Sequence, residues 1–122
     1  MATTSTTPSL DTAALKRAIE ERDAGGQLAA YADDARVEVV DKENPPSRPL
    51  VFSGREAIRE YLEDFTSRDM THKVSALVAG GDGVAMTVDC LYPDGTQVLC
   101  MCSVEVRDGQ IARQRGVQAW DE

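Results

Sequence analysis

Four runs of alternating apolar and polar residues, joined by short glycine-bearing links, constrain this chain's fold more than any other feature. They cover 71–79, 84–92, 97–107 and 110–120, with Gly80-Gly81-Asp82-Gly83, Pro93-Asp94-Gly95 and Asp108-Gly109 between them. Side chains two apart on a strand share a face. Glycine accepts positive φ without steric penalty, so links of this kind join neighbouring antiparallel strands. The pattern predicts a meander with one apolar side. His72, Val74, Ala76 and Val78 form the first stripe, Val84 to Tyr92 the second, and Val98, Cys100, Cys102, Val104 and Val106 the third. Such a face must be covered.

The first half of the chain supplies the cover. Leu15, Ala18 and Ile19 recur at helical spacing over 11–23, with Asp11 or Ser9 as the N-cap and Gly25-Gly26 as the stop. A second short helix is expected over 27–32, burying Leu28 and Tyr31, and Asp33-Asp34 turns the chain into a valine-rich strand over 36–41. The three prolines within 42–49 make a loop. Ser53-Gly54-Arg55-Glu56 reads as a capping box before a third helix, 54–67, whose stripe is Ile58, Tyr61, Leu62 and Phe65. Helices first and a long antiparallel sheet last is the order of an α+β domain. Residues 1–9 are expected to form a frayed tail and 10–122 the domain.

Bulk properties remove several function classes. The net charge of −8 opposes a nucleic-acid role, which needs a basic stripe to displace counterions from phosphate, and it opposes an anionic membrane surface. No apolar run approaches the ~20 residues that span a bilayer. The three cysteines are an odd number, and the N-terminal stretch has neither basic nor apolar character, so a reducing cytoplasm is expected. Their spacing, with His72 as the one histidine, matches no structural zinc pattern, so no metal and no cofactor are expected.

The order of elements, with Ala32-Asp33-Asp34-Ala35 and Gly54-Arg55-Glu56-Ala57-Ile58, resembles the nuclear transport factor 2-like superfamily in its SnoaL-like and ketosteroid isomerase-like branch. The likeness runs over nearly all of residues 11–120. It implies a bent sheet wrapped around the long helix, a conical and mostly apolar cavity, and frequent homodimers. It implies nothing settled about chemistry, because proteins of this fold isomerise, cyclise, hydrolyse, dehydrate or simply bind. Aligned with the isomerases, the helix-one tyrosine falls at Ala18, the oxyanion aspartate at Cys102 and the base at Val39. Losing such oxyanion donors costs roughly 3–4 kcal/mol each, so steroid isomerisation by that route is not expected.

The remaining candidates come from this sequence itself. Asp41, after the valines of the first strand, is the candidate general base, since partial desolvation raises a carboxyl pKa; the bland alternative is a solvated turn residue. His72 on the apolar face is the candidate acid–base partner, against a satisfied structural histidine. Tyr31, Tyr61 and Phe65 are expected to line the pocket from the helices' side, and Met86, Val88 and Cys90 from the sheet. Cys100 and Cys102 join them as buried thiols.

The last strand is ambiguous. A two-residue hairpin at Asp108-Gly109 would turn Arg113, Arg115 and Val117 inward; a three-residue loop would present Gln114, Gly116, Gln118 and Trp120 instead. Unpaired buried guanidinium groups are costly, so Gln114, Gln118 and Trp120 are preferred as pocket residues. Leu91, Leu99 and Met101 on the opposite face predict a homodimer through the sheet. The expected function is uptake of a small apolar or amphipathic oxygenated metabolite, polyketide- or terpenoid-like, with acid–base isomerase or cyclase chemistry. The alternative is a non-catalytic binding or accessory dimer module.

Overall fold

The structure, a computed structural model, describes residues 9–121, so the predicted tail lies, apart from Ser9, outside the described residues. The elements are α1 (Thr12–Glu20), α2 (Ala24–Leu28), β1 (Tyr31–Val40), β2 (Leu50–Ser53), α3 (Arg55–Ser67), β3 (Thr71–Gly80), β4 (Gly83–Leu91), β5 (Gln97–Arg107) and β6 (Gln110–Trp120). The strands form one curved, unclosed sheet in the order β2-β1-β6-β5-β4-β3. All neighbours are antiparallel except β1 and β6, which run parallel because the intervening α3 and meander act as one long crossover. The expected α+β architecture stands.

Helix α1 is capped by Asp11, whose Oδ1 accepts from the Ala14 amide at 3.0 Å, and the helix buries Leu15, Ala18 and Ile19. Ile58 and Leu62 of α3 pack with Val37, Val39, Val88 and Ile111 in the same core. Among the described residues, no helix is long and apolar enough to cross a membrane.

Five local expectations are corrected. Helix α2 starts earlier than 27–32 and contains Gly25-Gly26, because the Asp23 carboxylate caps it by accepting from the Gly26 amide at 3.0 Å. The turn that ends α1 lies instead at Arg22, with φ 55°. Gln27, rather than Leu28, is the buried residue of α2. Strand β1 begins at Tyr31, not Arg36; Asp33-Asp34 is a register shift within it, not a turn before it. The proline loop is followed by an edge strand the sequence did not announce, β2, which pairs with β1 and takes Ser53 out of the helix entry. The capping box therefore does not form. The N-cap is Gly54, with φ 85° and ψ 158° and no side-chain cap, and its amide donates to the Ala35 carbonyl at 2.8 Å.

Two bulges decide which side chains face inward. In β3 the register slips between Val74 and Ala76, so Leu77 turns toward Met86 while Val78 is thrown outward to 70% exposure. The predicted inward stripe thus ends at Val74. In β6, Arg107 pairs with Gln110, so the hairpin loop does have two residues. Glu105 then faces Arg113 rather than Ala112. That extra residue reverses the faces, giving the register predicted for a three-residue loop by a different route. Gln114, Gly116, Gln118 and Trp120 sit opposite Val104, Cys102, Cys100 and Val98.

Candidate ligand pocket

The concave side of the sheet and the inner sides of α1 and α3 leave two adjoining spaces. The inner cavity, about 80 Å³, is walled by Tyr31, Tyr61 and Phe65 against Met86, Val88, Cys100, Cys102, Gln114 and Gln118. The outer one, about 420 Å³, opens to solvent between Asp41, Asp64, Arg68 and Trp120. Val39, Tyr61, Phe65 and Gln118 belong to both walls, so the two are one funnel with a narrow end.

Polarity is divided along this funnel. Among the described residues, the inner lining carries no Asp, Glu, Lys, Arg or His, whereas the mouth carries Asp41, Lys42, Glu43, Asp64 and Arg68. Desolvation pushes the Tyr31 phenol upward, with the neighbouring Tyr61 adding to it. The Tyr61 phenol is raised too, first by burial and then by the nearby Cys100 sulfur. Burial alone pushes the Cys102 thiol up to about 11. These groups are neutral hydrogen-bond donors at pH 7.

Two glutamines are oriented by their partners. The Tyr31 hydroxyl donates to Gln114 Oε1 at 2.8 Å, and the Trp120 indole donates to Gln118 Oε1 at 3.3 Å. An indole N–H can only donate, so Gln118 must show its oxygen to Trp120 and its NH₂ elsewhere. Aromatic rings complete the wall: Phe52 stacks on Tyr61 with centroids 4.5 Å apart, and Tyr92 lies 6.0 Å from Trp120.

The structure does not bring Asp41 and His72 into one cavity. Asp41 stands at the mouth just past β1. Its Oδ1 accepts from the Glu43 amide, the Asn44 amide and Asn44 Nδ2, each at 2.9 Å, which ties the carboxylate to its loop. His72 is 6% exposed and lines neither space. Its Nδ1 lies 3.1 Å from Cys90 Sγ, its ring stacks on Phe65 at 4.9 Å, and its Nε2 has no hydrogen-bond partner among the described residues. Cys90, expected on the pocket wall, is 2% exposed and sits behind that wall with His72.

Sequence reasoning missed two charged groupings. Asp64 and Arg68, paired at 3.1 Å, reach the mouth from α3. Their signal was present: they flank Phe65 at helical spacing, one turn from Tyr61. The other lies on the outer face, where Glu38, 8% exposed, meets Arg36, Arg113 and Arg115 at 3.1, 3.3 and 3.4 Å. Finding it required the parallel β1–β6 register, which pairs Glu38 with Arg115. Among the described residues, no group of three or more His, Cys, Asp or Glu side chains is placed to hold a metal ion.

Residues 12–114 match the SnoaL-like domain family. No curated protein matches the chain in sequence. Among solved structures, a nuclear transport factor 2-like protein of unknown function from Mesorhizobium loti superposes with TM-score 0.74 at 16% identity, over 88% of this chain and 87% of that one. IdmH, a proposed polyketide cyclase from Streptomyces antibioticus, gives 0.64 at 24% identity over 88% of each chain. SalBIII, an epoxide hydrolase/cyclase-like enzyme of pyran ring formation in the polyether salinomycin, gives 0.68 at 23% over 88% and 87%. At such identities the likeness establishes the fold.

Proposed function

Because the chain belongs to the SnoaL-like family, we propose that its funnel takes up a small, mostly apolar metabolite bearing carbonyl or hydroxyl oxygens, of polyketide or terpenoid type. The observation that carries this is the uncharged inner wall among the described residues: Tyr61 and Gln118 offer neutral donors among apolar side chains. A wall of that kind favours ligand oxygens that accept hydrogen bonds, and it disfavours cations. Ring-forming or isomerising chemistry on the same ligand is supported by likeness in fold to a proposed cyclase and a cyclase-like enzyme. Any carboxylate base would then act at the mouth, where Asp41 and Asp64 stand, with the ligand's polar end near Arg68.

A second copy of the chain is proposed to cover the outer sheet face, where Val78, Leu91, Leu99, Met101 and Val117 are exposed. The free cysteines fit a reducing, cytoplasmic setting.

Trp120, the single tryptophan, reports on the mouth. Titration with a panel of cyclic ketones and hydroxyketones should quench its fluorescence saturably, and Tyr61→Leu should weaken that binding. A panel with no saturable binder, or binding untouched by Tyr61→Leu, removes the proposal. Turnover of a bound ketone, followed by mass spectrometry, separates an enzyme from a binding module.

A further inference from the structure

Two side-chain amides on β6, four residues apart, are held the same way round, and the function proposed above uses only one of them. Gln114, Gly116 and Gln118 lie on the concave side of a stretch that keeps its register with β5, opposite Val104, Cys102 and Cys100. All three line the inner cavity, and Gln118 also borders the outer space, so Gln118 stands at the neck and Gln114 deeper. The Tyr31 hydroxyl donates to Gln114 Oε1 at 2.8 Å, and the Trp120 indole donates to Gln118 Oε1 at 3.3 Å. An unengaged glutamine amide turns over to serve as donor or acceptor. These two have their oxygens engaged, so each offers its NH₂. Neither Nε2 donates to a protein acceptor among the described residues. The one buried side-chain nitrogen or oxygen left unpartnered among those residues is His72 Nε2, so both amide nitrogens are accessible, and the space they border is the cavity.

The partners draw the two oxygens apart. Trp120 lies beyond Gln118 on the same strand face, and Tyr31 stands beside Ile111, on the other side of Gln114 from Gly116. With the oxygens held toward the two ends, the NH₂ groups are left on the flanks of Gly116. A side chain at 116 would stand between them. A Cβ there would meet nothing nearer than 3.6 Å, so the glycine keeps this interval open. Four residues of strand span ~13 Å, and side chains on one face stand roughly parallel. With ~2.9 Å for each hydrogen bond, the pair suits two oxygens no more than about 7 Å apart. The walls facing that interval, Met86 and Val88 from the sheet and Phe65 from α3, are apolar.

We propose that the inner cavity is a two-point site for compounds that carry two hydrogen-bond-accepting oxygens on one apolar skeleton, such as cyclic diones. The Gln114 amide donates to the deeper oxygen and the Gln118 amide to the one nearer the mouth, while the skeleton lies over Gly116. Tyr31 and Trp120 are positioning residues, since each fixes which end of its glutamine faces the ligand. This rests on the reading of the funnel as a site for oxygenated apolar ligands and narrows it to those with a second oxygen at a set distance.

The test uses the full chain with 1,4-cyclohexanedione and with 4-methylcyclohexanone, which carries a methyl group in place of the second oxygen. Calorimetric titration gives both Kd values, and their ratio isolates the second oxygen from the shared ring. Gln114→Met and Gln118→Met keep the side-chain length and remove one donor each, so each should lower the preference for the dione about 3- to 10-fold. Where either variant fails to fold, Tyr31→Phe replaces the first and Trp120→Phe the second, since each frees one amide to turn over and should shift the ratio the same way. A ratio moved at only one of the two positions, or at neither, overturns the two-point site. Saturable binding of the methyl ketone with an unmoved ratio does so while leaving the pocket standing. Binding of neither probe also overturns the inference, and the wider ketone panel then decides the pocket by itself.

Discussion

Gly116 offers the sharpest test of the funnel, because one methyl group there should move stability and binding in opposite directions. A Cβ at this position would lie 3.6 Å from Cys102 Cβ and 3.7 Å from the Met101 carbonyl oxygen, which is ordinary contact, on the side of the inner cavity. Gly116→Ala thus fits without displacing its neighbours. A methyl fills a volume near one water's share of liquid, ~30 Å³, out of a cavity of about 80 Å³. At ~24 cal/mol per Å³ of void removed, that contributes about 0.7 kcal/mol. Lower entropy of the unfolded chain adds about 0.4–1 kcal/mol. The sum of roughly 1–1.7 kcal/mol corresponds to a Tm about 4–7 °C higher for a domain of this size. A ligand that needs the same space meets overlap worth about 1–3 kcal/mol, or roughly 5- to 150-fold weaker binding. Circular dichroism melts and Trp120 fluorescence titration with the tightest ketone of the panel measure the two effects. A lower Tm with unchanged affinity would refute the reasoning, since it would mean that the space beside Gly116 is neither void nor ligand site.

Gly54→Ala should cost about 1–3 kcal/mol in urea unfolding, because φ 85° with ψ 158° is a glycine conformation, although the nearest atom is 4.0 Å away. Gly80→Ala, with nothing within 4 Å, is the control and should stay within ~0.5 kcal/mol of wild type. Tyr31→Phe removes the 2.8 Å bond to Gln114 and should cost about 1–2 kcal/mol while weakening ketone binding, read by the same titration. The hydrogen bond from Arg36 holds the Glu38 carboxyl below its ordinary value, with Arg113 helping. A depressed carboxyl contributes stability above its unfolded pKa of about 4.3 and loses it as pH falls through the folded value. The Tm gap between wild type and Glu38→Gln should therefore be full at pH 7 and close below about pH 4; a gap independent of pH would count against the cluster.

Much of the architecture is written in local patterns. The meander, the α3 stripe and the Asp11 cap each follow from spacing of a few residues, and each appears where that spacing puts it. The glutamine–tryptophan face of β6 could be preferred from sequence as well, since burying Arg113 and Arg115 without partners is costly. Its cause could not be foreseen. The faces reverse through a bulge at Ala112, and a bulge leaves no composition signal when its residue is an ordinary alanine. The same holds for Ser75 in β3, which sends Val78 outward. Ser53 shows local logic overruled: its capping box is sound by itself, yet pairing with β1 uses Ser53 as strand.

The separation of apolar from polar side chains and the order of helices and strands were determined by the sequence alone, because they depend on side-chain period and turn chemistry. Which of those residues meet was decided by tertiary structure. Asp41 turned to its own loop, His72 went behind the wall to Cys90, and Glu38 drew three arginines from two strands. Such meetings depend on strand register and on bulges that shift it by one residue, and no nearby residue encodes which strand will become a neighbour.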